Sequence, residues 1–213
     1  MKELPILFST PMVQAILEGR KTMTIRTRGL EKVNQAPDKY VLAGKYHILT
    51  DSRFEAFFAN PENMDKIEAK CYYGLPGDVL WVRESFCKLA KWYGYKSLEK
   101  SPSQIKWKPS IHMPKAAARI WLQVEEIRVE RLLEITEEDS IAEGVEHIDQ
   151  HGQKVWKRYD DYYIVTTSPV VSFWSLWASI NGEDSWNANP WVWVVKFKVL
   201  STTGKPQLET RNP

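Results

Sequence analysis

The chain has 213 residues, 43% of them apolar and ten of them tryptophan, with 29 Lys and Arg against 27 Asp and Glu for a formal net charge of +2. This length suits one domain with insertions and a core that needs no disulfide staples, and the composition excludes a disordered or fibrous chain. The near-balance of charge excludes a uniformly basic surface, so any nucleic-acid contact must rest on a local patch.

Residues 4–8 form an apolar run and predict a strand. Ser9 or Thr10 then caps a helix with Pro11 at its first position, and Met12, Val13, Ile16 and Leu17 recur at helical spacing up to Gly19. Residues 20–26 read as a tight helix-to-strand corner. Lys21 falls at the turn, and alternation puts Thr22 and Thr24 on one strand face. Residues 27–70 are mixed and polar around Phe54, Phe57 and Phe58, and predict an insertion holding a short helix. Pro and Gly make 73–78 a turn into a strand at 79–86. Residues 86–117 are the most basic and aromatic stretch. Lys91, Lys96, Lys100, Lys106, Lys108 and Lys115 stand there among Trp92, Tyr93, Tyr95 and Trp107.

A long strand is expected at 119–129, with Ile120, Leu122 and Val124 alternating. Thr136 opens a helix with Asp139 three residues on, Ile141 and Val145 pointing inward and Gly144 ending it. Residues 146–167 are a polar insertion without a usable pattern. Ser168 and Pro169 start an amphipathic helix carrying Val170, Val171, Phe173, Trp174, Leu176, Trp177 and Ile180, with Gly182 past its end. A final strand at 191–200 presents Trp191, Trp193, Val195, Phe197 and Val199 on one face, and 201–213 reads as a loose tail. No repeat or linker divides the chain, so residues 1–200 are read as one α+β domain, a mixed β-barrel with short flanking helices.

Cys71 and Cys87 lack CxxC spacing and read as buried thiols, not a disulfide framework. The N-terminus shows no signal-peptide pattern and no apolar run approaches the ~20 residues of a span, so a cytoplasmic protein without membrane contact is expected. His47, His112, His147 and His151 are scattered. The i, i+4 spacing of His147 and His151 falls among loop residues, and no metal is expected. Gly-rich phosphate loops are missing, so no nucleotide cofactor is expected.

The segment Ile16-Leu17-Glu18-Gly19-Arg20-Lys21-Thr22-Met23-Thr24-Ile25-Arg26 resembles the opening signature of the ASCH family, a branch of the PUA-like superfamily. More narrowly it is similar to small bacterial N(4)-acetylcytidine amidohydrolases. Three further stretches follow in family order: residues 76–80 as a Gly-Asp turn into a strand, 135–143 as a helix whose acidic residue lines the pocket, and 193–197 as the closing strand. A group of prophage-encoded ASCH proteins, some labelled morphogenetic, resembles most of the chain, including residues 106–114 and 189–191. The small amidohydrolases resemble only the barrel elements, and the insertions near 27–70, 86–117 and 146–167 depart from them.

The resemblance implies an RNA or modified-cytidine partner, a PUA-like fold, and an active-site Lys, Thr and Glu, which fall on Lys21, Thr24 and Glu143. The set suits amide hydrolysis, which needs a nucleophile, a base and a proton for the leaving amine. Thr24 would attack, a desolvated Lys21 would act as base on Thr24 or on a water, and Glu143 would orient the cytosine edge and protonate the leaving nitrogen. Arg20, Thr22, Arg26, Arg83, Lys106 and Lys108 are the candidate nucleoside- or nucleic-acid-binding residues. Each has a plainer reading. Lys21 complements a helix dipole, the threonines are strand formers, Glu143 is solvated, Arg83 pairs with Glu84, and the lysine-rich loop packs on its own aromatics. Three other functions remain open on these residues: a non-catalytic RNA-binding module, a metal-independent ribonuclease, and a phage assembly protein.

Overall fold

The computed structural model describes residues 1–48, 53–100, 104–160 and 164–207. In chain order the elements are β1 (Glu3–Leu7), α1 (Thr10–Leu17), β2 (Met23–Arg26), β3 (Val41–Ile48), β4 (Arg53–Ala59), β5 (Lys66–Lys70), β6 (Val79–Arg83), β7 (Phe86–Lys88), β8 (Tyr93–Tyr95) and β9 (Trp121–Arg131). Then follow α2 (Glu137–Ala142), β10 (His147–Gln150), β11 (Gln153–Lys157), β12 (Val165–Thr166), α3 (Pro169–Asn181), α4 (Asp184–Asn187) and β13 (Trp191–Ser201).

The central sheet has five strands in the order β1-β6-β9-β13-β2. β1 and β6 run parallel and the other neighbours antiparallel. A closed barrel would need β1 to pair with β2, and among the described residues no ladder joins them. The molecule is therefore a mixed α+β assembly of several sheets and short helices, and where a mixed β-barrel was expected the described residues form no closed barrel. The two free edges still meet, because Arg26 on β2 donates through Nη2 to the Leu7 carbonyl on β1 at 2.8 Å. A side chain closes the seam where backbone pairing does not.

The pattern of β13 explains how this sheet is covered. Trp191, Trp193, Val195 and Phe197 enter one core with Ile6, Phe8, Leu80 and Leu122. Val192 and Val194 enter a second core with Met23, Ile25, Phe173 and Trp177. One apolar face was expected and two are found, because α3 packs on the reverse of the sheet. Burying each such Val or Phe contributes roughly 1.5–3 kcal/mol, so the strand is held from both sides. Val199, placed on the same face as Trp191, Trp193, Val195 and Phe197 by alternation, is 39% exposed.

The three insertions carry structure of their own. Instead of one short helix, 27–70 holds an antiparallel sheet β3-β4-β5 and two short 3-10 turns. It places Leu30, Val33, Ala56, Phe58 and Ala69 in the main core. Residues 86–117 hold the hairpin β7-β8 and three 3-10 turns. Residues 146–167 hold a hairpin β10-β11 with β12 beside it. That hairpin turns on His151 and Gly152, both at positive φ (52° and 80°), the geometry whose twist matches paired strands. Two other expectations differ. Ile141 is exposed, not inward, while Val145 is buried. Of the expected tail, residue 201 ends β13 and 208–213 lie outside the described residues. No helix among the described residues is long and apolar enough to cross a membrane.

Candidate active site

Two short helices end beside each other, and their ends build the site. α1 closes at Glu18 with Gly19 at φ 75°, and the amides of Arg20 and Lys21 both donate to the Ala15 carbonyl. This left-handed turn reverses the chain and sends Lys21 inward. α2 begins at Thr136, whose hydroxyl accepts from the Asp139 amide at 3.1 Å, and closes at Glu143 with Gly144 at φ 94°. The Thr22 amide donates to the Ala142 carbonyl at 2.9 Å, tying the two helix ends together. Arg20 adds a guanidinium bond to the Gly144 carbonyl and pairs with Glu18.

Lys21 is 1% exposed and Glu143 6% exposed. The Lys21 ammonium donates to the Glu143 carboxylate through Oε2 and to the Glu143 carbonyl at 2.8 Å. It therefore neutralises a helix C-terminus, but that of α2 and not of its own helix. The second carboxylate oxygen, Oε1, accepts the amide of Ile25 on β2. Trp193 and Val195 of β13 stand opposite Arg26 and Thr24, and the Phe197 amide donates to the Thr22 carbonyl. By alternation the Ile25 amide points away from that ladder, towards the open edge. Glu143 thus satisfies a donor that a sixth strand would otherwise have taken.

Thr24 is buried on β2 and its Oγ1 accepts from Arg26 Nε at 3.1 Å. The rings and cations are shared: Arg26 lies 5.1 Å and Lys21 5.6 Å from the centre of the Phe8 ring. Burial pushes the Lys21 pKa below the ordinary lysine value. The Glu143 charge opposes that shift, and the Arg26 charge adds to it.

A cavity of about 260 Å³ opens along the β1–β2 seam. Thr24, Arg26, Arg28 and Glu143 supply its polar groups. Leu7 and Tyr73 form one wall, and Phe173, Leu176, Trp177 and Ile180 of α3 form the other. An adjoining hollow of about 300 Å³ shares Met12, Glu143, Leu176 and Ile180 with it and reaches Arg20 and Tyr159. Burial raises the Tyr73 pKa, so its phenol stays a hydrogen-bond donor at the cavity wall.

The predicted residues separate into groups. Lys21, Thr24, Glu143 and Arg26 converge. No hydrogen bond joins Lys21 to Thr24 among the described residues; Glu143 holds the lysine instead. Thr22 is exposed just before β2, so it does not share a face with buried Thr24. Arg20 lies in the adjoining hollow. Arg83 donates to the Ile111 carbonyl and stacks 5.6 Å from the Trp81 ring centre, away from the cavity and not paired with Glu84. Lys106 and Lys108 are exposed on the 86–117 insertion and do not line the cavity; Lys108 bridges to Phe86. Tyr73 and the α3 wall were missed. The available signal was the breadth of the apolar arc on α3, which extends to half-exposed Ile180. Among the described residues no three His, Cys, Asp or Glu side chains gather as a metal site requires. No family model, curated protein or solved structure matches the chain.

Proposed function

We propose that the chain is an ASCH-type, PUA-like protein whose seam cavity hydrolyses the acyl group from the exocyclic nitrogen of an N(4)-acylated cytosine nucleoside. The observation that carries this reading is the buried Lys21–Glu143 pair, whose glutamate lines the same aromatic-walled cavity as Thr24. Thr24 Oγ1, oriented by Arg26 Nε, adds to the acyl carbon, and the charge that moves onto the acyl oxygen is met by the Arg26 guanidinium. The hydroxyl proton passes to the Glu143 carboxylate, which the Lys21 ammonium holds in place, because Glu143 and not Thr24 engages the lysine. Glu143 returns a proton to the departing nitrogen, releasing the amine. Water then frees the acyl group as a carboxylic acid and restores Thr24. The adjoining hollow gives the acyl group room.

Incubation with N(4)-acetylcytidine, followed chromatographically, tests the reading. Cytidine is expected from the wild type and is lost in Thr24→Ala, Lys21→Ala and Glu143→Gln. Cytidine release undiminished in Thr24→Ala and Lys21→Ala would remove the mechanism. A binding-only role is favoured by one observation, the engagement of Lys21 by Glu143 instead of Thr24. Saturable nucleoside binding without turnover selects that role, and fragmentation of RNA without added metal selects the ribonuclease.

A further inference from the structure

The second cavity of the protein lies on the 86–117 insertion, remote in character from the seam. It encloses about 370 Å³ and is walled by Trp92, Tyr93, Tyr95, Leu98, Ile105 and Trp107. Gly94 forms part of the floor. A Cβ there would come within 2.7 Å of Cys87 Sγ, 3.7 Å of the Trp92 ring and 3.8 Å of the Trp107 ring. The edges of both indoles therefore come close to one point above Gly94. Both rings line the cavity, and the apolar space beside them is the slot. Trp92 is 62% exposed, Leu98 56% and Ile105 44%, an unusual amount of apolar surface for one short loop.

The slot is rigid from behind. The Tyr95 hydroxyl donates to the Ala117 carbonyl at 2.9 Å, and the Arg119 guanidinium lies 4.5 Å from the centre of its ring. Its rim is cationic. Lys88, Lys91, Lys96, Lys100, Lys106 and Lys108 are all exposed, and among the described residues none of them forms an ion pair. The stretch from residue 87 to residue 108 holds these six lysines against one acid, Glu99, in a chain of net charge +2, so the remainder of the protein is net negative.

From this combination we infer that the loop is a binding site for single-stranded nucleic acid, with one base held in the Trp92–Trp107 slot and the flanking phosphates on the lysine rim. Stacking planes recognise any base by its face, and lysines hold phosphates without reading sequence. A duplex hides its base faces and does not fit the slot. The occupant carries both an aromatic ring and regularly spaced negative charge, which matches the apolar walls and the unpaired lysines together. The site stands independently of the seam chemistry.

The test is fluorescence anisotropy of labelled single strands of about 12 nucleotides, one RNA and one DNA, titrated with the full chain. Affinity is expected to fall steeply between about 50 and 200 mM salt. Trp92→Ala and Trp107→Ala each weaken binding roughly tenfold, and Trp92→Phe restores most of it. Lys106→Glu with Lys108→Glu weakens binding and flattens the salt dependence. Thr24→Ala leaves binding unchanged, which separates this site from failure of the hydrolase reading. Trp92 is exposed, so its variant keeps the fold. Equal binding by wild type and both tryptophan variants overturns the proposal. So does duplex bound as tightly as single strand. A wild-type dimer that Trp92→Ala dissociates and that binds no strand reassigns the surface to self-association and overturns it as well.

Discussion

Lys21 and Glu143 lie 122 residues apart and form an ion pair whose side chains are 0% and 5% exposed. Glu143 also caps the Ile25 amide, so the pair binds two helix ends and the edge of the central sheet into one unit. A buried pair of this kind fixes arrangement more than it stabilises, because each charge loses its hydration.

Removing one partner strands the other. Lys21→Met leaves a buried carboxylate and is expected to cost about 3–5 kcal/mol. Adding Glu143→Leu returns part of that loss, and the Ile25 amide, left without its acceptor, limits the recovery to less than wild type. Urea denaturation of the two singles and the double measures the coupling. Additive losses would show that the two residues do not act as a pair.

Stability should rise with pH through a window set by Lys21 that ends at the unfolded lysine value. Its folded pKa lies below the unfolded lysine value of about 10.4, so over that interval the unfolded chain binds more protons than the folded one. The contribution is complete above the unfolded value and is lost as pH falls through the folded one. Cys71 acts in the opposite sense: burial pushes its thiol up to about 12, and its contribution is complete below the ordinary thiol range and lost as pH rises through the folded value. Comparing wild type with Lys21→Met by urea denaturation across pH isolates the lysine slope, since Cys71 is common to both.

The same Cys71 thiol should resist alkylation. Iodoacetamide at mildly alkaline pH is expected to leave Cys71 unmodified in the folded protein and to label it fully in urea, read by peptide mass. Labelling at equal rates in both states would contradict its burial.

Gly144 and Gly77 share a left-handed backbone, φ 94° and 95°. Only at Gly144 would a Cβ collide, 2.8 Å from Lys21 Cβ and 3.1 Å from Ala15 Cβ, while at Gly77 the space is open. Both alanine variants pay about 1–3 kcal/mol for the backbone. Gly144→Ala should lose more stability than Gly77→Ala and also displace Lys21. Thermal melts give the difference, and nucleoside turnover or binding reads the displacement.

Glu84 is expected to anchor the lysine-rich loop. Its carboxylate is 1% exposed and accepts Arg119 Nε at 2.9 Å, Arg119 Nη2 at 3.1 Å and the Ser97 hydroxyl. Arg119→Met strands that carboxylate and should cost about 3–5 kcal/mol, whereas Ser97→Ala should cost about 1. Limited proteolysis should cut the Arg119 variant first within the loop that carries Ser97.

Much of the local structure was legible because adjacent residues decide it. Pro11 in the first turn of α1, Thr136 capping the Asp139 amide and Gly182 past α3 are interactions within a few positions of one another. The β10–β11 hairpin was not legible. β10 is exposed along its whole length, so it carries no alternation of apolar and polar residues to read. The β3-β4-β5 sheet was hidden for a related reason. Gly44 sits at a register shift in the β3–β4 ladder, and lysines and glutamates interrupt the apolar positions.

The residues of the seam were identifiable as types: a lysine after a helix-ending glycine, a threonine and an arginine alternating on a strand, a glutamate closing a second helix. Their partners were not. That Glu143 and not Thr24 holds Lys21, that Arg26 closes the β1–β2 edge, and that α3 walls the cavity follow from strand order and from a helix packed across the sheet. Sequence by itself determined caps, turns and periodicities, since those energies act between neighbours in the chain. Only the tertiary structure decided which buried charge meets which, since a charge removed from water takes whatever partner the packing brings within reach, here one 122 residues away.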